Sequence, residues 1–555
     1  MPGTSGPTLV MNKDGVDMFS LRLKKFLGSI KIHMTVNYER QANANVLHFP
    51  QNQQVEPVCA VNPLNFRNVI AGAMDKTNYP DCLAVPAQGF LCPPTPGLGV
   101  PGMGIYTSFD IGQTWSTQYP VLRNLVGGQV QSLIADPIIA FGPAPANLGE
   151  AQIINGFSTT RMRAYFGGIT GPEALTAVAS TVAVIFSDDG GANWSDGSYV
   201  AGLPTTGFFT DRPNAWADLS RTSPFYGYLY VTYTLTQFFG TPLVNRIVSV
   251  ISRSRDGGQS FDPFVIIQSP IQPAPGVPGI TVVSQTRSFV RTTTDGRVYV
   301  FYNATPSNTT TSAVYGAVST DAGLTFTNFQ VAIQRPPPGL LPGASFATSG
   351  ARSPFPAIDE NNNIYIVWTD YNASQAHGTI TLASALSVNG VQPLIPSFNL
   401  RTIVDIPGRT PLFASIATSR NQVFVGMMAF DDRPPGTRPG PGVVTYDAYF
   451  VTFRQNLSSI RPPVRISAVS SDADTVAQFI IVGGPCGQFI GDYTYAAAAP
   501  NGNFFYAWTD ARNAQSCPAQ TAYSLGGCSG ESPNINALCS PAYGNTDIFV
   551  ARISP

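Results

Sequence analysis

Residues Ser254 to Asp262 read SRDGGQSFD, and nearly the same phrase occurs three more times: SFDIGQTWS from Ser108, SDDGGANWS from Ser187 and STDAGLTFT from Ser319. The shared pattern is Ser-x-Asp-x-Gly-x-(Thr/Ser/Asn)-(Trp/Phe). Its aspartates, Asp110, Asp189, Asp256 and Asp321, are separated by 79, 67 and 65 residues, which marks a repeating unit. An Asp side chain can accept hydrogen bonds from backbone N–H groups further along a turn, and Gly supplies the positive φ that a tight hairpin needs. Upstream of the four phrases lie GMGIYTS, TVAVIFS, RIVSVIS and SAVYGAVS, each patterned as a strand. The unit is strand, capped hairpin, strand.

Working outward, GTITLASALSVNG near Thr381, YDAYFVTFRQNLSS near Tyr449 and the final NTDIFVARISP occupy the same place with the signature decayed, making seven such strands. Each is preceded by a pair: EPVCAVNP…NVIAGAM, DPIIAF…RAYFGGI, RPNAWADLS…YLYVTYT, RSFVRTTTDGRVYVFYNA, FPAIDENNNIYIVWTDYN, LFASIATSRNQVFVGMMAF and DYTYAAAAPNGNFFYAWTDARN. Four-stranded units repeated radially predict an all-β fold, a single seven-bladed β-propeller, with six blades as the alternative. The last unit ends at its third strand, so its fourth is expected from the N-terminus, within KIHMTVNYER or NVLHFPQ. The expected division is residues 1–50 as a short N-terminal extension and 51–555 as the propeller. The extension carries one helix-like stretch, Asp14 to Ile30, which could pack on the propeller or serve self-assembly with a neighbouring copy.

Bulk properties narrow the function classes. Charged residues make up only 11%, with Lys+Arg 31 against Asp+Glu 32, which speaks against nucleic acid or an anionic membrane as partner. No run is long and apolar enough to span a bilayer. The first residues lack the basic-then-apolar order of a signal peptide, so export, if it occurs, uses another route. Of seven cysteines, Cys59, Cys82 and Cys92 lie near the start and Cys486, Cys517, Cys528 and Cys539 near the end. Without a CxxC pair, and with His33, His48 and His377 scattered, no metal site is expected. Loop disulfides in an oxidising setting are expected instead, Cys82–Cys92 among them, with at least one thiol left over. The expected location is extracellular or on a particle or cell surface. No cofactor is expected.

The repeated phrase resembles the Asp-box, or BNR repeat, of sialidase-like β-propellers, with four good copies and at least two decayed ones over roughly residues 55–555. The resemblance implies that Asp110, Asp189, Asp256 and Asp321 are structural hairpin caps away from any active site. Ligands of a propeller meet the loops at one mouth of its channel, where the innermost strands begin: Glu56, Asp136, Asp211 with Arg212, Arg287, Arg352, Arg409 and Asp492. Three guanidinium forks on one mouth would make a carboxylate receptor. By the resemblance, Arg287, Arg352 and Arg409 would hold a sugar carboxylate beside Asp492. Asp136 or Asp211 would be the acid, and Tyr493 or Tyr495 the nucleophile. The family's Phe-Arg-Ile-Pro motif is absent, and its catalytic sialidases have six blades. Trp368 and Trp508, in WTDYN and WTDARN, are candidates for stacking on a sugar.

Two functions follow as expectations. One is a surface propeller that binds glycans or proteins, or builds an assembly. The alternative is an exo-glycosidase acting on a carboxylated sugar.

Overall fold

The protein is described by a computed structural model, which covers residues 35–41, 54–75, 102–126, 129–171, 180–202, 208–239, 244–267, 284–285, 287–305, 311–476, 478–479, 487–525, 538–540 and 544–554. The helix-like stretch 14–30, the Cys82–Cys92 clasp and Cys486 and Cys528 lie outside the described residues.

Seven antiparallel sheets follow one another along the chain, each a meander from the channel outward. Their innermost strands are Gln54–Asn62, Gln129–Pro145, Phe208–Ala217, Phe289–Thr292, Phe355–Ile358, Arg409–Ser419 and Tyr495–Ala498. Each of these packs against the next, and the last returns to the first, so the ring is closed. Third strands are Met103–Ser108, Thr181–Ser187, Val244–Ser254, Ser312–Ser319, His377–Ala385, Thr445–Arg454 and Asp547–Ser554. The chain is a seven-bladed β-propeller. In the seventh blade the outer place is taken by Thr35–Gln41, paired antiparallel with Asp547–Ser554. The outer edge of the final blade is thereby covered by a strand from the other end of the chain.

Blades are covered by neighbours on both faces, so their strands are buried almost continuously; Ser312–Ser319 and Phe504–Asp510 contain no exposed residue. Where blades approach closely, glycine is required. A Cβ on Gly72, in the first blade's second strand, would overlap the ring of Phe166 from the second blade.

The four boxes form the same turn. The Ser hydroxyl donates to the Asp carboxylate at 2.7–2.8 Å and accepts from the Gly N–H at 2.7–2.8 Å. The Asp accepts the backbone N–H four residues on at 2.9–3.0 Å, and that residue's own side chain as well. Two consecutive residues have positive φ, as in Gly257 (73°) and Gly258 (84°), and this is why Gly recurs there. Partial burial works against each carboxylate, but these hydrogen bonds outweigh it and hold all four below the usual range.

Direction along the meander fixes the two faces. Every box joins a third strand to an outer strand, so the boxes share the face on which innermost strands end. Innermost strands begin on the opposite face. That face also carries the described connection from Gln334 to Phe355.

Candidate functional site

The mouth of the channel is built by a repeated local device. In the first three blades the innermost strand contains a charged residue followed by proline: Glu56-Pro57, Asp136-Pro137 and Arg212-Pro213. Each charged residue has positive φ, 59°, 52° and 52° respectively. Each also sits where the register with the second strand shifts. A residue before proline normally stays extended, and positive φ is costly for a side chain of this size. These bulges are held by their surroundings, and each re-aims one charged group.

The sixth blade repeats the bulge at Phe413, with φ 55° and a shift between Leu412 and Ser415. Sequence reasoning placed Arg409 at the mouth because it opens the strand, but the equivalent position is Phe413, four residues later. Arg409 instead bonds Asp447 at 2.8 Å and Asp431 at 3.1 Å, within its own blade.

Four carboxyl groups and two guanidiniums interact at the mouth in two layers. The upper layer is partly open: the side chains of Asp211, Arg212 and Asp492 are 30%, 28% and 17% exposed, with Arg212 Nε 3.4 Å from Asp211 and 3.7 Å from Asp492. Below lie Glu56, Asp136, Arg287 and Tyr493, all buried. Glu56 Oε2 and Asp136 Oδ1 have no hydrogen-bond partner, nor do Nε and Nη1 of Arg287.

Burial pushes the Glu56 carboxyl well up, and the charges of Asp136 and Asp492 add to this against Arg287. Burial does the same to Asp136, reinforced by Asp211 and opposed by Arg287. Asp492 is also raised by burial, with Arg212 working against it. Like charges in a dry site cannot all ionise, so burial and mutual repulsion favour the protonated form of the Glu56 and Asp136 carboxyls.

Close backbone packing fixes this layer. Gly491, at φ 99°, lies against the Glu56 backbone, where an added Cβ would be 2.8 Å from the Glu56 nitrogen. Gly350 abuts the backbone of Asp492 in the same way.

The remaining candidates are placed as follows. Arg352 ends a 3-10 turn, Ser349–Arg352, and donates to the Pro337 carbonyl at 3.3 Å. It lies near Arg212, whose charge adds to burial in disfavouring its own. Tyr493 stacks under Arg287 with its hydroxyl donating to the Pro137 carbonyl at 3.4 Å, and burial pushes that phenol well up. Trp368 and Trp508 are buried within their blades, each indole donating to the Asp two residues on. Neither ring is presented to a ligand, which corrects the stacking expectation. Sequence reasoning named Glu56 as a strand opener but gave it no role. Its Pro neighbour, shared with Asp136 and Arg212, was the signal.

Among the described residues no group of His, Cys, Asp and Glu has a metal-binding arrangement, and no helix is long and apolar enough to cross a membrane. Cys517 and Cys539 form a disulfide, while Cys59 is a buried free thiol.

Neither a protein-family model nor a curated protein sequence matches the chain. Solved structures do. The chain is similar to the intramolecular trans-sialidase of Ruminococcus gnavus, with 13% identity, 75% of this chain and 97% of that one covered, and a TM-score of 0.39. It is similar to an α-L-arabinofuranosidase of Fusarium graminearum, with 14% identity, 74% and 96% covered, and a TM-score of 0.40. For the leech intramolecular trans-sialidase the figures are 15%, 68% and a TM-score of 0.38, and the chain spans only 65% of that enzyme's length.

Proposed function

We propose that the protein processes carbohydrate at the channel mouth, as a glycoside hydrolase whose proton donor is a buried carboxylic acid. One observation carries this reading. Glu56 and Asp136 are buried, raised by that burial and left with an unpartnered oxygen, and their carboxyls interact electrostatically with the partly open Asp211 and Asp492. Glycoside hydrolysis uses one protonated carboxyl and one ionised carboxylate. In this assignment Asp136 or Glu56 protonates the departing oxygen as the glycosidic C–O bond breaks, while Asp211 or Asp492 takes a proton from the water whose oxygen bonds to the anomeric carbon. Arg212 stabilises the negative charge beside it. Tyr493 is assigned to supporting Arg287, because its ring stacks on that guanidinium and its hydroxyl donates to the Pro137 carbonyl. Arg352, beside Arg212, supplies positive charge suited to an acidic sugar.

A second reading, a glycan- or protein-binding propeller of a surface or extracellular assembly, is favoured by the ion pairs of Arg212 with Asp211 and Asp492. The Cys517–Cys539 disulfide fits an oxidising, extracellular location for either reading. Within both, residues 51–555 together with the ring-closing strand Thr35–Gln41 form the Asp-box propeller, and the rest of residues 1–50 serves as the extension for self-assembly.

The test is hydrolysis of a panel of 4-methylumbelliferyl glycosides covering pentofuranosides, uronides and sialosides. Turnover of one is expected, reduced about 100- to 10,000-fold by Asp136→Asn or Glu56→Gln and unchanged by Asp256→Asn in a box. Saturable binding of a panel member at the mouth without any turnover would replace this reading by the second.

A further inference from the structure

Arg287 was expected as a ligand for a sugar carboxylate, but its surroundings give it other work. We propose that Arg287 is a positioning residue, whose guanidinium ties the bulges of the second and third blades together and so sets where Asp136 and Arg212 point. The inference rests on the carbohydrate-processing reading of the mouth.

The geometry is specific. Arg287 Nη2 donates to the Pro137 carbonyl at 3.1 Å and also to the Pro213 carbonyl. These carbonyls belong to the residues immediately after Asp136 and Arg212. Both of those residues hold φ of 52° against the extended preference before proline, so something outside each strand must maintain them. Arg287 is the group that grips both.

From the seventh blade, Tyr493 supports the arrangement: its ring lies 3.7 Å from the guanidinium carbon, and its hydroxyl donates to the same Pro137 carbonyl. Three blades are thus joined at one side chain. Arg287 is only 2% exposed, with its guanidinium turned to the Pro137 and Pro213 carbonyls. A planar, multi-donor cation can bond two carbonyls and stack on a ring at once, which a lysine ammonium does not reproduce. The same charge draws the Glu56 and Asp136 carboxyls part of the way back down.

The test compares Arg287→Lys, which keeps the charge, with Arg287→Met, which keeps approximate length only. Crystal structures of both should show the fold retained and φ at Asp136 and Arg212 relaxed toward the extended region. With a hydrolysed panel glycoside, Arg287→Lys should lower kcat at least about tenfold, with KM within about twofold. In Arg287→Met the infrared carboxyl band, assigned by Glu56→Gln and Asp136→Asn, should persist to higher pH by about one unit or more.

Unchanged bulges in both variants would overturn the proposal. So would a raised KM with intact kcat, the behaviour of a substrate ligand. Failure of Arg287→Lys to fold would also overturn it, making the arginine a support of the whole ring. The crystal and infrared readouts need no substrate, so absence of turnover in the unsubstituted protein would count against the carbohydrate-processing reading alone.

Discussion

Asp136 shows how one residue carries both the proposed chemistry and its cost. Its pKa is raised in the folded protein above the ordinary value of 3.8. The stability linked to it is therefore complete below that ordinary value and is lost as pH rises through the native value. Asp136→Asn removes the penalty, so this variant should melt higher than the unsubstituted protein above neutral pH, with the gap closing as the solution is acidified. Thermal melts across a pH series measure this, and a gap that widened in acid would contradict the assignment. At this scale the sequence was partly legible. Three of the mouth positions were named as openers of the first three innermost strands, whereas the proline that follows each, which restricts it, was a signal left unused. Arg409 misled because strand starts were aligned on the first extended residue, and the bulge that aims a side chain inward is invisible in a pattern of residue types. Trp368 and Trp508 misled for another reason: each indole already has its hydrogen-bond partner two residues on.

Among the elements, the box hairpins were the most legible, since their capping chemistry is local to eight residues. The aspartate of each is held below the ordinary range. Its stabilisation is therefore present above the unfolded value and lost as pH falls through the folded one. Asp256→Ala removes bonds from two backbone N–H groups and two hydroxyls. It should cost about 1–2 kcal/mol in urea unfolding near neutral pH, with less difference from the unsubstituted protein in strong acid and no change in hydrolysis. Innermost strands were legible as strands, but their contacts across the ring were not. Gly491 is the sharpest case: its φ and its approach to Glu56 depend on a blade distant in sequence. Gly491→Ala should displace Glu56, destabilise by about 1–3 kcal/mol and suppress hydrolysis more than its stability loss explains. Comparing kcat with the urea midpoint checks both effects.

For the whole molecule, seven units and their closure into one ring place six charged groups from five blades at a single mouth. The count of blades came from repeat spacing, whereas the layering of open and buried charges arises only when the ring closes. Pairing of Thr35–Gln41 with Asp547–Ser554 makes that closure depend on both ends of the chain. Removing residues through Gln41 exposes the edge of the last blade, and should lower the melting temperature and promote association on size-exclusion chromatography. The central claim is that sugar is bound where the acids of the first three blades meet Asp492. A crystal structure of Asp136→Asn, soaked with the same glycoside panel, tests it most directly. The account predicts a sugar ring at the mouth, with its glycosidic oxygen within hydrogen-bond distance of residue 136 or Glu56 and its ring facing Asp211 and Asp492. Sugar bound on the box face or between outer strands, with the mouth empty, would contradict it.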